Sequence, residues 1–179
     1  MAAADYGASI ALLELIAATA WERAEWHGWL AKRGDAILST SMGPNASDGF
    51  RTVGDLTLHI FIAEKHHVDR LARREITDAS SISTGSIEAL FGFGRRSRRD
   101  LEEFVSRESD EDWNVPREFD ILDNVIRVSP RKFITHILLH EIRHWAQIAT
   151  ALRQAGAPAS FPDFLVSPVM GGGLQIQKK

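Results

Sequence analysis

Apolar residues recur at helical spacing over four long segments of this 179-residue chain. An apolar position every three or four residues gives a helix one face that packs against a core. The first such segment covers residues 8–33 and ends at Gly34, and residues 39–49 have the composition of a loop. Its apolar positions are Leu12, Leu13, Ile16, Ala20, Ala24 and Leu30.

The second predicted helix begins after Thr52, a good N-cap residue, and runs to about residue 75. Its apolar stripe is widened by Leu58, Phe61 and Ile62. A helix that is apolar on most sides lies in the interior of a protein or at an oligomer contact. His59 lies beside the stripe, in the middle of this apolar segment.

Two further helices have clear start signals. Ser86 is the predicted N-cap of a third helix over residues 87–107. The fourth follows Ser129 as N-cap and Pro130 at its first position, and it ends before Gly156. Four long helices therefore account for most of the chain.

The segment before the last helix, residues 110–128, is the longest connection. Two short apolar runs flank Asp123-Asn124, which indicates either a small hairpin or an irregular crossover. The prediction for the whole is an all-α fold: a four-helix bundle with a long crossover before its last helix. We expect a single domain over residues 1–170 and a mobile C-terminal tail over residues 171–179.

Composition narrows the range of partners. The chain is 44% hydrophobic and 25% charged, as in ordinary globular proteins, and its formal net charge is −3. That charge gives no general attraction to nucleic acid or to an anionic membrane. The arginine-rich residues 95–99 are diluted by neighbouring acids, and we interpret them as a solvated helix face. No apolar run approaches the ~18 residues that span a bilayer.

The chain contains no cysteine. Disulfides, cysteine-ligated zinc and a thiol nucleophile are therefore excluded from it. The N-terminus has an acidic Asp5 and no basic region before an apolar segment, so it makes a poor signal peptide. These features fit a cytoplasmic protein.

Candidate chemistry lies in the histidines. His140 and His144 are one turn apart on the last helix, about 40° around its axis, in the five-residue pattern His-Glu-x-x-His. One helix can give two imidazoles to a single metal ion in this way. Facing helices in a bundle can bring His59 to the pair. Three neutral imidazoles with positions left open are typical of catalytic zinc and related ions.

The remaining aromatic side chains need no special function. Each of the other histidines is expected to be a solvated or hydrogen-bonded side chain, and these are His27, His66, His67 and His136. Three tryptophans crowd the second half of the first helix, Trp21, Trp26 and Trp29. We interpret them as core packing and as the wall of a pocket or of a dimer contact.

A carboxylate-bridged di-iron site is the alternative metal site. Glu64 with His67, and Glu141 with His144, both form Glu-x-x-His motifs, as in di-iron helical bundles. By helical phase, Glu141 points near the middle of its apolar face. Such a site also needs a glutamate from each of the other helices, for which the candidates are Glu14, Glu22, Glu88 and Glu102.

The sequence resembles the DinB-like superfamily of metal-binding helical proteins, the DinB/YfiT-type metal-dependent hydrolases and transferases. Residues 53–65, VGDLTLHIFIAEK, resemble the family's second helix, in which a histidine follows a short apolar lead. Residues 136–148, HILLHEIRHWAQI, resemble its last-helix motif His-x-x-x-His-x-x-His-His-Arg-Gly-Gln. The close of that helix, ALRQAG, and the later PDFL are also similar. Only the last-helix motif is specific.

The resemblance implies His59, His140 and His144 as ligands of one divalent ion, often zinc or nickel. It also implies a homodimer. Known members include transferases and isomerases that use low-molecular-weight thiols, and many have no known activity. The sequence departs from the motif at Arg143, Trp145 and Ala146, where the family often has His, Arg and Gly. Trp145 cannot supply the charge that such an arginine offers to an anionic substrate.

We therefore expect a metal-dependent transferase with a thiol cosubstrate, or a hydrolase, acting on a small molecule. Glu141, or Glu64, is the candidate general base, since each lies within about a turn of a predicted ligand. The competing class is a non-catalytic, stress-related bundle with a structural metal.

Overall fold

The computed structural model describes residues 10–44, 49–109, 111–121, 123–157 and 162–171. It contains the four predicted helices: α1 (Leu12–Ala31), α2 (Val53–Leu71), α3 (Ile87–Arg107) and α4 (Pro130–Gln154). Short 3-10 helices follow α1 at Asp35–Ser39 and α4 at Phe164–Val166. Apart from Gly171, the predicted C-terminal tail lies outside the described residues.

The chain is not purely all-α, because the connection before α4 forms a small hairpin. Strands β1 (Arg117–Ile121) and β2 (Asn124–Val128) pair antiparallel. Of the two alternatives that the sequence left open for this segment, the hairpin is confirmed. Phe119 is buried and packs on Phe133 of α4, with ring centroids 4.9 Å apart. The hairpin thus covers one end of the helical core, where Ile121, Ile126 and Val128 also pack against the cluster that contains Phe119.

Helix starts follow the predicted caps. The Thr52 hydroxyl accepts from the Asp55 backbone N–H, while the Asp55 carboxylate accepts from the Thr52 N–H, which forms a capping box. The hydroxyls of Ser86 and Ser129 cap α3 and α4 by accepting from the backbone N–H groups of Ala89 and Lys132. α2 ends at Leu71, earlier than the predicted residue 75. Two residues after its end, Arg73 takes a positive φ of 54°.

Helices α1 and α2 each pack against both α3 and α4. Two glycines permit the close approach of α2 to its neighbours. A Cβ at Gly94 of α3 would lie 2.9 Å from the Phe61 ring, and one at Gly54 would lie 2.0 Å from the Thr84 carbonyl oxygen. The close contact between α3 and α2 therefore requires a residue without a side chain at position 94.

The interior has two apolar clusters with a charged layer between them. One cluster surrounds Trp26, Phe61 and Trp145, and the other includes Ile16, Val68, Leu101 and Leu138. Four buried charged residues that pair with one another, one from each helix, lie between the positions that contribute to the two clusters. These residues are Arg23, Glu64, Arg98 and Glu141, each at most 8% exposed. Among the described residues, no helix is both long and apolar enough to cross a membrane.

Candidate metal centre

Three imidazoles meet between α2 and α4. His59 Nε2 lies 3.4 Å from His140 Nε2, which lies 2.9 Å from His144 Nε2. One nitrogen from each ring lies within 4.8 Å of the others, and all three side chains are half-buried. Their assignment as ligands stays a prediction, but the convergence on which it depends is present.

The spacing suits a shared ion. Two imidazole nitrogens bound to one zinc at about 2.0–2.1 Å lie roughly 2.9–3.4 Å apart for bond angles near 90–110°. The two Nε2 separations lie in this range. The rings of His140 and His144 are nearly perpendicular, at 87°, so the two rings do not stack on each other.

Local contacts keep these rings in a form that can bind metal. Burial, together with the nearby imidazoles of His144 and His59, lowers the pKa of His140 to about 3. His140 is therefore neutral at physiological pH. The Gln147 Oε1 lies 2.6 Å from His144 Nδ1. Because an amide oxygen only accepts, Nδ1 carries the proton and leaves Nε2 free to bind an ion.

Phe50, from the loop that precedes α2, covers one side of the triad. Its ring centroid lies 4.2 Å from that of His59. Sequence analysis gives no role to Phe50 or to Gln147. Gln147 had a detectable signal, since it lies one turn after His144 and matches the last position of the family motif. Phe50 had none, because its place depends on how the loop folds back.

The two candidate bases lie in a buried ion cluster. Nη1 and Nη2 of Arg23 donate hydrogen bonds to the two carboxylate oxygens of Glu64, at 3.0 and 2.9 Å. The same guanidinium donates to both oxygens of Glu141. Arg98 donates Nε to Glu64 and Nη2 to Glu141, at 3.1 and 3.0 Å. Two carboxylates and two guanidinium groups thus make a neutral layer across the core.

Electrostatics favours the charged forms in this layer. Burial alone would raise the pKa of Glu64, but the charges of Arg23 and Arg98 hold it below its usual range. Burial likewise opposes the charge on Arg23, and the two carboxylates more than offset that effect and raise its pKa. Glu141 also accepts from Trp145 Nε1 at 3.1 Å.

The ion cluster contains the glutamates that were predicted as ligands of a di-iron site and as the general base. Both glutamates of the Glu-x-x-His motifs bind arginine, and among the described residues the histidine triad is the group whose ligand atoms could hold an ion. The geometry therefore favours one ion bound by imidazoles over a carboxylate-bridged pair. A base role for Glu141 stays a prediction, and the contacts of its carboxylate are with Arg23, Arg98 and Trp145.

Arg98 is buried, so the interpretation of residues 95–99 as a solvated helix face is wrong at this position. The residue is 6% exposed, and its Nη1 donates to the Thr19 hydroxyl and to the Ile16 carbonyl of α1. The signal was its spacing, since Phe91, Gly94, Arg98 and Leu101 follow one face of the helix. Arg95, by contrast, is exposed and pairs with Glu88.

The other histidines lie outside the triad. His67 Nδ1 donates to the Ala63 carbonyl at 2.6 Å, and burial lowers its pKa to about 4. His66 contacts the Thr77 carbonyl at 2.9 Å, and His27 stacks on Phe91. His136 is exposed, with its ring centroid 5.8 Å from that of His140.

Comparison with solved structures finds the same fold in other proteins. Two crystal structures share the fold: a DinB-like protein of Bacillus cereus ATCC 10987, at a TM-score of 0.58 and 19% identity, and the DinB-like protein YjoA of Bacillus subtilis, at 0.56 and 13%. The first alignment covers 83% of this chain and 91% of the relative, and the second covers 84% and 97%.

No functionally curated protein matches the sequence. The family model for DinB matches residues 7–170, which is nearly the whole chain. The histidine triad between the second and last helices, the shared fold and this match agree, and the chain belongs to the DinB family.

Proposed function

We propose that this protein binds one divalent transition metal ion, zinc or nickel, through His59, His140 and His144. The observation that carries the proposal is the approach of three Nε2 atoms at the spacing of ligands on one ion. The donor set supports it: three imidazole nitrogens suit zinc, nickel and copper better than calcium or magnesium. Three protein ligands also leave positions for water or substrate.

The proposed activity is either a transferase reaction that uses a thiol cosubstrate or a hydrolysis, and in both cases the substrate is a small molecule. We propose that the protein is a DinB-like four-helix bundle and that residues 1–170 form a single domain. A bound ion would supply Lewis acidity to a water, a carbonyl or a thiol. The chain has no cysteine, so a thiol would come from a cosubstrate. Gln147 would hold the tautomer of His144, and Phe50 would limit the access of water to His59.

Metal analysis of the purified protein tests the site. We expect one equivalent of metal per chain in the wild type and in His136→Ala, and a large loss in His144→Ala. His136 is the matched control because it is an exposed histidine of the same helix. Anomalous scattering at the zinc and nickel edges identifies the ion. A wild-type protein without stoichiometric metal after reconstitution would contradict the proposal.

Chelation separates catalysis from a structural role. A catalytic ion predicts an almost unchanged melting temperature after chelation, together with metal-dependent turnover in a panel of thiol substrates. A structural ion predicts a large loss of stability and no turnover. The three imidazoles are half-buried and do not lie in the fully buried core, which supports the first outcome.

We also propose a homodimer, with apolar surface at the start of α1 in the contact. Ile10 and Leu13 there are 60% and 65% exposed. Light scattering with size-exclusion chromatography should give twice the chain mass, and Leu13→Glu should shift the protein toward monomer. A monomeric wild type at micromolar concentration would rule the dimer out.

A further inference from the structure

A cavity lies on the side of α4 away from the three imidazoles. Ile142 lines it and is two residues beyond His140, which places the two side chains on nearly opposite sides of the helix. The cavity has a volume of about 550 Å³ and lies between α1, α4 and the short helix Phe164–Val166. That volume suits a small organic molecule.

A buried carboxylate lies in the wall of this cavity. Glu22 is 8% exposed, and its Oε1 has no hydrogen-bond partner in the part of the chain that the structure describes. The indole N–H of Trp26 interacts with the carboxylate without reaching hydrogen-bond geometry. Burying a carboxylate that has so few donors costs free energy, and because Glu22 lines the cavity, a ligand that brings an N–H donor and a positive charge to this side chain would offset part of that cost.

Charge in the lining has one sign. Among the described residues that line the cavity, the charged ones are Glu22 and the exposed Asp163, and both are acidic. One oxygen of Asp163 caps the short helix by accepting from the Leu165 backbone N–H. Trp21 adds the indole of a half-buried tryptophan, and the rest of the wall is mainly apolar. An acidic, aromatic and apolar lining is complementary to an organic cation.

We propose that this cavity binds a small organic ammonium ion, with its nitrogen beside the Glu22 carboxylate and the Trp21 indole. The apolar body of the ligand packs against Leu15, Ile142 and Phe164. The carboxylate provides charge and hydrogen-bond acceptors, the indole face provides a cation–π contact, and the apolar wall sets the size of the body. This site is separate from the metal centre and does not depend on a bound ion.

Calorimetric titration of the full-length protein at pH 8 with 2-phenylethylamine tests the site. The matched neutral probe is 2-phenylethanol, which has the same aromatic body with a hydroxyl in place of the ammonium group. We expect saturable binding of one amine per chain and at least tenfold weaker binding of the alcohol. The affinity for the amine should be the same with and without added zinc, which separates this test from that of the metal centre.

Variants assign the site within the protein. Glu22→Gln should weaken amine binding at least tenfold, whereas Glu25→Gln, an exposed glutamate of the same helix, should leave it unchanged. Ala18→Leu keeps the charge and fills part of the cavity, so it should weaken the amine and the alcohol alike. It also keeps the test decisive if Glu22→Gln fails to fold.

Three results would overturn the proposal. Equal affinities for amine and alcohol would show that the carboxylate does not recognise the ligand. Unchanged amine binding in a folded Glu22→Gln, or in Ala18→Leu, would place the binding elsewhere. No binding of the amine at millimolar concentration would mean that the cavity takes no such ligand.

Discussion

Arg23 and Glu141, which are 118 residues apart in the chain, form a bidentate ion pair inside the protein. Arg23 Nε donates to Oε1 at 2.5 Å, and Nη2 donates to Oε2 at 2.8 Å. The glutamate follows His140 directly, so its carboxylate joins the start of the chain to the helix that carries two of the three imidazoles. Glu64 and Arg98 complete the cluster, and each helix contributes one charge.

Removing one cation from this cluster should destabilise the protein strongly. In Arg23→Met, two buried carboxylates would face the single guanidinium of Arg98, and we expect a loss of about 3–5 kcal/mol in the free energy of unfolding. Urea denaturation measures it. Arg107→Met is the control, because Arg107 pairs with Glu103 on the exposed surface, and it should change stability by less than about 0.5 kcal/mol. Similar small effects in both variants would contradict the account.

Local signals predicted the helices and two of the three imidazoles that converge between them. Thr52, Ser86 and Ser129 are recognisable caps because their effect depends on residues within one turn. His140 and His144 share a helix, so their spacing alone sets their geometry. The approach of His59 to this pair depends on how α2 packs against α4. The sequence indicates that packing only through the apolar faces of the two helices.

The partners of the buried glutamates could not be predicted in this way. By helical phase, Glu141 lies on the apolar face of its helix, and its predicted role is that of a general base or of an iron ligand. The arginine that neutralises it lies on another helix, and no local pattern pairs the two. Arg98 was hidden by its exposed arginine neighbours, since charge composition alone does not report which member of a run faces inward.

Gln147 should tune metal affinity without binding the ion. Its amide oxygen accepts from His144 Nδ1, which fixes the tautomer and orientation of the ring. Loss of such a contact typically costs about 10–100-fold in metal affinity, and we expect this range for Gln147→Ala. Competition with a chromophoric chelator measures the change. Gln154→Ala removes an exposed glutamine from the same helix and should leave the affinity unchanged. Equal affinities in the two variants would remove Gln147 from the site.

Two glycines of α3 should respond oppositely to alanine. A Cβ at Gly94 would lie 2.9 Å from the Phe61 ring, so Gly94→Ala should force α2 and α3 apart and cost about 1–3 kcal/mol. At Gly92 the nearest atoms are the flexible ends of Arg95, Arg96 and Glu88, at 3.6–3.9 Å. Gly92→Ala should therefore be neutral or stabilise by up to about 1 kcal/mol, through helix propensity. Thermal unfolding compares them, and a shift of the same sign and size in both would refute the packing argument.

Glu22 should make stability fall as the pH rises from about 4.5 to about 7. Burial, the negative charge of Glu141 and a weak opposing contact with Trp26 together raise the pKa of Glu22 from 4.5 to about 7. In this interval the unfolded chain has released the proton that the folded protein keeps, so increasing pH favours unfolding. Below pH 4.5 the group is protonated in both states and contributes nothing to the difference.

Comparison of variants isolates this contribution. Glu22→Gln cannot ionise, so its stability relative to the wild type should increase by about 1–3 kcal/mol between pH 4.5 and pH 8. His67 and His140, whose pKa values are lowered to about 4 and about 3, act in the opposite direction over part of the interval, but both are present in both proteins and cancel. Urea unfolding of the metal-free proteins measures the difference, with Glu25→Gln as the exposed control. A difference that does not vary with pH would mean that Glu22 is ionised in the folded protein throughout, as a carboxylate with an ordinary pKa would be.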